Sequence, residues 1–269
     1  MSTASKPRQA PAVWGDSDKP IVVGVDGSRA ALNAVGWAVT EAAYRDAPLR
    51  LIHAVPTTDH HCGSVGLTGD ASRTDPVLVS AEAEVQGAGK AIRFESARID
   101  GNAGDVLIAE SSRSLMVCIG VPGRDRLAGR LFGPIATVLA AHAHCPVALI
   151  RGDSAVSPGD AGVVSVVLDD DPDNDSVVHL AMLEGRLRAA TVRQVDRRRN
   201  SWIRRFPDVH VETVAAGTGS PWIASRHDPR GVQLAVVGQA DADRITELEV
   251  PNCHPIVGYP GCSVLLVRH

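Results

Sequence analysis

The chain has 269 residues, enough for two domains of about 130 residues each at ordinary domain sizes. It is 44% apolar and 22% charged, which excludes a disordered polymer. Its 3% aromatic content means that the cores are built from Val, Ile, Leu and Ala, as in parallel sheets buried on both faces. A net charge of −4 gives no basis for nonspecific nucleic-acid binding, and no apolar run is long enough to span a bilayer.

Residues 1–19 are polar, contain Pro7 and Pro11, and lack the apolar core of a secretory signal, so they read as a mobile tail. The apolar run Ile21–Val25 predicts a first strand, ending at Gly24 and Asp26. Leu32, Val35, Val39 and Ala42 then recur at helical spacing; Ser28 is the expected N-cap, and Asp46-Ala47-Pro48 stops the helix. Further strands are expected over Leu49–Val55, Ala91–Ala97, Leu115–Ile119 and Val147–Ile150, with a helix over Ile135–Ala143 before the last. A segment rich in Ser, Pro, Gly and Asp, residues 153–162, separates a first domain, 20–152, from a second, 163–269. The second carries apolar runs at Val163–Leu168, Val209–Val214, Gln233–Val237 and Val264–Val267, the last expected at a sheet edge. Strands alternating with helical patterns predict an α/β fold: two tandem doubly wound, Rossmann-like parallel sheets of strand order 3-2-1-4-5. In such a sheet, ligands bind beyond the strand C-termini where the winding reverses, between strands one and four.

The second half repeats the first. Ala38-Val39-Thr40-Glu41 and Arg45 match Ala181-Met182-Leu183-Glu184 and Arg188 at one common offset, which also takes Asp26 to Asp169. Val117-Cys118-Ile119-Gly120 matches Ala235-Val236-Val237-Gly238, and Cys145-Pro146-Val147 with Arg151 matches Cys262-Ser263-Val264 with Arg268. The copies diverge where chemistry is expected. Gly123 corresponds to Asp241, Gly133 to Val250 or Pro251, and Gly27-Ser28 to Asp170-Asp171, carboxylates that repel phosphate. The second copy therefore reads as degenerate: it keeps the fold pattern and loses the phosphate glycines.

The first copy's chemistry centres on Gly120-Val121-Pro122-Gly123, followed by Arg124, Asp125 and Arg126 and closed by Gly133-Pro134-Ile135. A glycine at a strand end permits close backbone approach, and the unpaired N–H groups of a helix start attract anions. Turn glycines of a glycine-rich α/β chain are the plain alternative. The spacing resembles the G-x2-G-x9-G-[ST] pattern of nucleotide-binding members of the universal stress protein family, followed here as there by a helix and a C-P-V strand. The whole chain resembles the family's tandem form found in mycobacteria and other actinobacteria, strongly over residues 20–152 and more weakly beyond. The resemblance implies Asp26 beside the adenosine, main-chain groups of Ala54 or Val55 offered to adenine, and ATP as ligand, with or without Mg2+. It also implies a cytoplasmic homodimer with an adenine nucleotide as small-molecule partner, no nucleic acid and no membrane. The chain departs from the pattern at Pro134, where the family has Ser or Thr. Proline suits a helix's first position but brings neither N–H nor hydroxyl. Each lost charge-assisted bond costs about 1.5–3 kcal/mol, tenfold or more in affinity.

Other candidates are weaker. His60-His61-Cys62 lacks metal-ligand spacing, and Asp169–Asp175 lacks the glycine and glutamate of a calcium loop, Asn174 and Leu180 standing there instead; Asp173 or Asp175 reads as a helix cap. Arg197-Arg198-Arg199 with Trp202, Arg204 and Arg205 reads as a solvated basic helix face rather than an RNA contact. The five cysteines, Cys62, Cys118, Cys145, Cys253 and Cys262, fit reduced thiols better than a disulfide framework. No catalytic triad, P-loop lysine or paired catalytic carboxylates can be assembled. Three functions stay open: an ATP-binding stress or regulatory factor with at most slow hydrolysis, a fold kept for interaction alone, and an adenylate-forming enzyme whose catalytic group is missing.

Overall fold

The computed structural model describes residues 19–56, 75–122, 132–151, 162–167, 174–195, 206, 208–209, 211–214, 232–238 and 263–267. The N-terminal tail to residue 18, the linker from 153 to 161, His60-His61-Cys62, Asp169–Asp173 and the Arg197–Arg205 cluster lie outside them. Spatial contacts divide the chain into two compact units, Met1–Gly120 with His142–Cys145, and Val121–Ala141 with Pro146–His269.

The first unit is built on β1 (Ile21–Gly24), α1 (Arg29–Arg45), β2 (Leu49–Val55), α2 (Pro76–Gly87), β3 (Phe94–Asp100), α3 (Ala103–Ser111) and β4 (Met116–Val121). Its strands are parallel in the order β3-β2-β1-β4, with Ile21 opposite both Leu49 and Met116. Ile21, Val22 and Val23 are wholly buried, as a central strand covered on both faces must be. Helix α1 begins where the sequence places it. Ser28 Oγ accepts from the Ala31 N–H at 3.1 Å, and Asp46 ends the helix in the left-handed conformation at φ 51°. The buried face of α1 is largely small (Ala31, Ala34, Ala38, Ala42), which lets the helix lie close to the sheet. At the N-terminal end of β2, Arg50 is buried between two carboxylates: its Nε donates to Glu110 Oε2 at 3.2 Å and its Nη1 pairs with Glu95.

Two expectations in this half need correction. The third strand runs over Phe94–Asp100 rather than Ala91–Ala97. Ala91 and Ile92 add apolar character ahead of it, but the strand follows the alternation of buried Ala97 and Ile99 with exposed Arg98 and Asp100, paired to β2 from Leu49↔Phe94 to Val55↔Asp100. Leu115 lies before β4 and is exposed; its N–H donates to the Pro20 carbonyl at 2.9 Å.

The second unit contains α4 (Pro134–His142), β5 (Val147–Arg151), β6 (Val163–Val167), α5 (Asn174–Leu187), β7 (Thr191–Val195), β8 (Val211–Val214), β9 (Val232–Val237) and β10 (Ser263–Leu266). The second copy shows the full doubly wound order β8-β7-β6-β9-β10, all parallel. The first copy's β3-β2-β1-β4 is the same order over four strands. The fold class is therefore tandem α/β, as the sequence indicates. Strand β7 carries no apolar run: Arg193 and Gln194 sit inside it, yet both are buried, so periodicity alone does not reveal it. Helix α5 starts at Asn174, which places Asp175 in its first turn rather than at its cap. Strand β10 is not an edge. Val264, Leu265 and Leu266 pair antiparallel with Leu149, Ala148 and Val147 of β5, while the other side of β10 pairs with β9. An uncovered strand exposes a row of N–H and C=O groups, and β5 takes up that row.

The duplication has a structural signature. Glu41 in α1 and Glu184 in α5 are both fully buried, and each pairs with an arginine one helical turn later, Arg45 (3.0 Å) and Arg188.

Candidate functional site

The first copy's crevice lies where β1 ends. The ladder of β1 stops at Gly24, opposite Ile52 and Ile119, while β2 runs on to Val55 and β4 to Val121. The Val25 N–H donates to the Ile52 carbonyl at 2.9 Å, and the Gly101 N–H donates to the Val55 carbonyl at 2.7 Å. Successive residues of a strand turn their main-chain groups to opposite sides. Residues 52 and 54 therefore face β1, and 53 and 55 face β3. The N–H and C=O of Ala54 lie past the end of the β1 ladder, whereas the carbonyl of Val55 is already engaged. Of the two residues the sequence offers for adenine, Ala54 is the one with main-chain groups turned to the crevice side.

Asp26 follows β1 and is exposed. Its Oδ1 accepts from the Ser28 N–H at 2.9 Å, a local turn that holds the carboxylate at the strand end. Gly27 adopts φ 80°, a conformation that disfavours side chains, and a Cβ there would stand 3.2 Å from Val77 Cγ2.

The glycines Gly24 and Gly120 have partners inside the protein. An added Cβ at Gly24 would lie 2.9 Å from Leu107 Cδ1 of α3. At Gly120 it would lie 2.1 Å from Ala30 C, 2.2 Å from Ala30 O and 2.3 Å from Ala31 N. The close backbone approach that Gly120 permits is that of the first turn of α1. The tightness is not repeated in the second copy, where a Cβ at Gly238 would meet Val177 Cγ2 at an ordinary 3.4 Å.

Gly133, Pro134 and Ile135 form the start of α4. The Gly133 carbonyl accepts from the Thr137 N–H at 3.1 Å and from Thr137 Oγ1 at 3.2 Å. Among the described residues, an added Cβ at Gly133 would meet nothing within 4 Å. Pro134 and Ile135 are exposed. Since Pro134 has no N–H and the Thr137 N–H is spent on Gly133, Ile135 and Ala136 carry the first-turn N–H groups left for an anion. Gly123, Arg124, Asp125 and Arg126 lie outside the described residues; Val121 closes β4 and Pro122 follows it. Arg151, which the sequence marks only through the repeat, is buried at the end of β5. Its Nη1 donates to the Pro122 carbonyl at 3.4 Å, and its guanidinium carbon lies 5.1 Å from the Phe132 ring centroid.

One cluster beside the crevice is not anticipated by the sequence. His53 Nδ1 lies 2.7 Å from Asp75 Oδ2, and the other Asp75 oxygen caps α2 by accepting from the Val77 N–H at 2.9 Å and the Leu78 N–H at 3.4 Å. Burial alone raises the Asp75 pKa; the bond from His53 and those from the two N–H groups outweigh it, so the carboxyl sits below its ordinary value. The available signal is Asp75-Pro76, a cap followed by proline at the first helical position. Nothing local pairs it with His53.

Among the described residues, no group of three His, Cys, Asp or Glu side chains comes together to hold a metal ion, and no helix is long and apolar enough to cross a membrane. Cys118 and Cys145 are buried.

The universal stress protein family profile matches residues 19–151. Universal stress protein Rv2624c of Mycobacterium tuberculosis is 36% identical over 265 residues, covering 93% of this chain and 96% of its own length. Universal stress protein Rv3134c of the same organism is 33% identical over 274 residues, with the same two coverages. Among solved structures, a universal stress protein from Archaeoglobus fulgidus superposes with a TM-score of 0.63 at 13% identity, covering 93% of this chain and 96% of that one, which shows a common fold. With relatives of this similarity along nearly its whole length, the chain belongs to the universal stress protein family.

Proposed function

We propose that this protein binds an adenine nucleotide, ATP foremost, at the C-terminal ends of β1, β2 and β4 in its first copy. It acts as a regulatory stress-adaptation factor through nucleotide-dependent conformation or association. The observation that carries this reading is that exposed Asp26 and the main chain of Ala54 both lie past the point where the β1 ladder stops. A carboxylate suits ribose hydroxyls, and a free main-chain donor and acceptor suit an adenine edge. Gly24 shapes the strand end by packing. The phosphates are assigned to the segment Gly120–Gly133, with Val121, Pro122, Gly123, Arg124, Asp125 and Arg126, and to the α4 start at Pro134 and Ile135, on the strength of the glycine spacing. Mg2+ enters, if at all, with the nucleotide. ATP turnover is at most slow, because phosphoryl transfer needs a metal-holding carboxylate and a positioned base together. The protein works in the cytoplasm.

A specific observation favours a second reading, an interaction module without nucleotide: packing against the α1 backbone accounts for Gly120, and Pro134 lacks the family's hydroxyl. Mass spectrometry of small molecules released from protein purified without added nucleotide separates the two. Adenine nucleotide at near-stoichiometric yield is expected. Its absence, together with no calorimetric signal on titration with ATP, ADP or adenosine, overturns the nucleotide reading in favour of the second.

A further inference from the structure

We propose that His53 and Asp75 are positioning residues of the nucleotide site, forming a clamp that fixes the Asp26–Ser28 loop through the first turn of α2. This inference rests on the nucleotide reading above for its consequence and on geometry for its mechanism. His53 lies directly across the β2–β3 ladder from Arg98, and both converge on Asp75. Asp75 Oδ2 lies 2.7 Å from His53 Nδ1 and 4.0 Å from Arg98 Nε, and Arg98 Nη2 lies 3.8 Å from Asp100 Oδ1. The Asp75 side chain is 5% exposed, so its charge must be answered from within, and two bases and two helix N–H groups answer it. The same carboxylate thus caps α2 with one oxygen and grips the end of β2 with the other.

The grip transmits to the crevice by contact. The first turn of α2 carries Val77, whose N–H is bonded to Asp75 and whose Cγ2 faces Gly27, 3.2 Å from where a Cβ on that residue would stand. Gly27 in turn sits between Asp26, the carboxylate proposed for the ribose, and Ser28, whose N–H closes the Asp26 turn. With the Asp75–His53 bond made, Val77 blocks displacement of the Gly27 backbone, and Asp26 keeps the place that the ligand requires. A ligand-binding loop held this way binds without first paying the cost of ordering.

Two substitutions separate the clamp from other roles of this histidine. In His53→Asn the amide nitrogen stands where Nδ1 stood and restores the bond to Asp75; in His53→Gln the nitrogen stands near the Nε2 position and the bond to Asp75 is lost. For ATP and for adenosine alike, His53→Gln is expected to weaken binding about tenfold, the worth of one hydrogen bond to a buried charge, with His53→Asn restoring it to within about twofold. In an Asp26→Asn background the difference between Gln and Asn is expected to vanish, because the clamp acts through Asp26; a purely structural loss of stability persists in both backgrounds. Amide hydrogen exchange of the nucleotide-free protein gives a readout independent of ligand: the Val77, Leu78 and Ser28 amides exchange faster in His53→Gln and as in the wild type in His53→Asn. Binding that follows Nε2 instead, that is retained by Gln and lost by Asn, overturns the clamp, as do equal effects of both variants or unchanged exchange at Val77 and Ser28. If the wild type binds neither ATP nor adenosine, the nucleotide reading fails while exchange still decides the clamp.

Discussion

Gly120→Ala tests the packing on which the crevice stands. The new methyl would lie 2.1–2.3 Å from three backbone atoms of Ala30 and Ala31, where ordinary contact begins near 3.4 Å. Those atoms belong to the first turn of α1, so no side-chain rotation relieves the clash; the helix start must move outward by about 1 Å, breaking close contacts elsewhere along the helix. Overpacking of this kind costs about 1–3 kcal/mol, and backbone neighbours put it at the upper end. At roughly 2–4 °C per kcal/mol for a chain of this size, Tm should fall by about 6–12 °C. Differential scanning calorimetry on the variant and wild type measures this. Gly133→Ala is the matched control: among the described residues its methyl meets nothing within 4 Å, and its expected cost is about 1 kcal/mol or less, set by the poorer capping of alanine. A Gly120→Ala protein melting within about 2 °C of wild type would show that α1 does not rest on β4 as described. The same pair informs ligand work. Weakened ATP binding in Gly120→Ala reports on a displaced α1, whereas weakened binding in Gly133→Ala at unchanged stability reports on the ligand itself.

Pro134→Ser restores an N–H and a hydroxyl at the start of α4 and is expected to tighten ATP about tenfold or more while leaving adenosine as before; unchanged ATP affinity by calorimetry would place the phosphates elsewhere. Asp75 links stability to pH in a definite direction. Its folded pKa lies below the ordinary carboxyl value of 3.8, so its contribution is present above about pH 4 and is lost as pH falls through the folded value. Urea midpoints from pH 6 to 3 should therefore fall less steeply in Asp75→Asn, which keeps a capping oxygen but has no charge to titrate, and parallel curves would refute the linkage. Truncation after Gly159 removes β10 and bares the strand face of β5 that pairs with it; light scattering should show self-association, and a monodisperse monomer would count against main-chain pairing as the reason for the second copy.

Much of the first copy is legible in a short window of sequence. The span of β2, Leu49–Val55, follows from its apolar run, and Ser28 and Asp46 bound α1 because cap chemistry acts within a few residues. The duplication is legible for the same local reason: Glu41-Arg45 and Glu184-Arg188 are one turn apart, and the spacing survives in both copies. The position of β3 is not legible, since Ala91 and Ile92 are as apolar as the true strand residues and only pairing with β2 fixes the register. Strand β7 hides because Arg193 and Gln194 are buried by tertiary neighbours that no window contains.

The sequence by itself determines the α/β class, the tandem repeat, the glycine spacing and the degeneracy of the second copy, because each is written in local periodicity, caps or residue identity. Tertiary structure alone decides what those residues touch. It shows that Gly120 lies against the first turn of α1, and that Ala54 rather than Val55 turns its main chain past the end of β1. It pairs β10 with β5 and sets His53 against Asp75. The reason is physical: a hydrogen-bond ladder, a helix resting on a sheet and a side-chain hydrogen bond each join atoms far apart along the chain, and their partners are selected by packing in space.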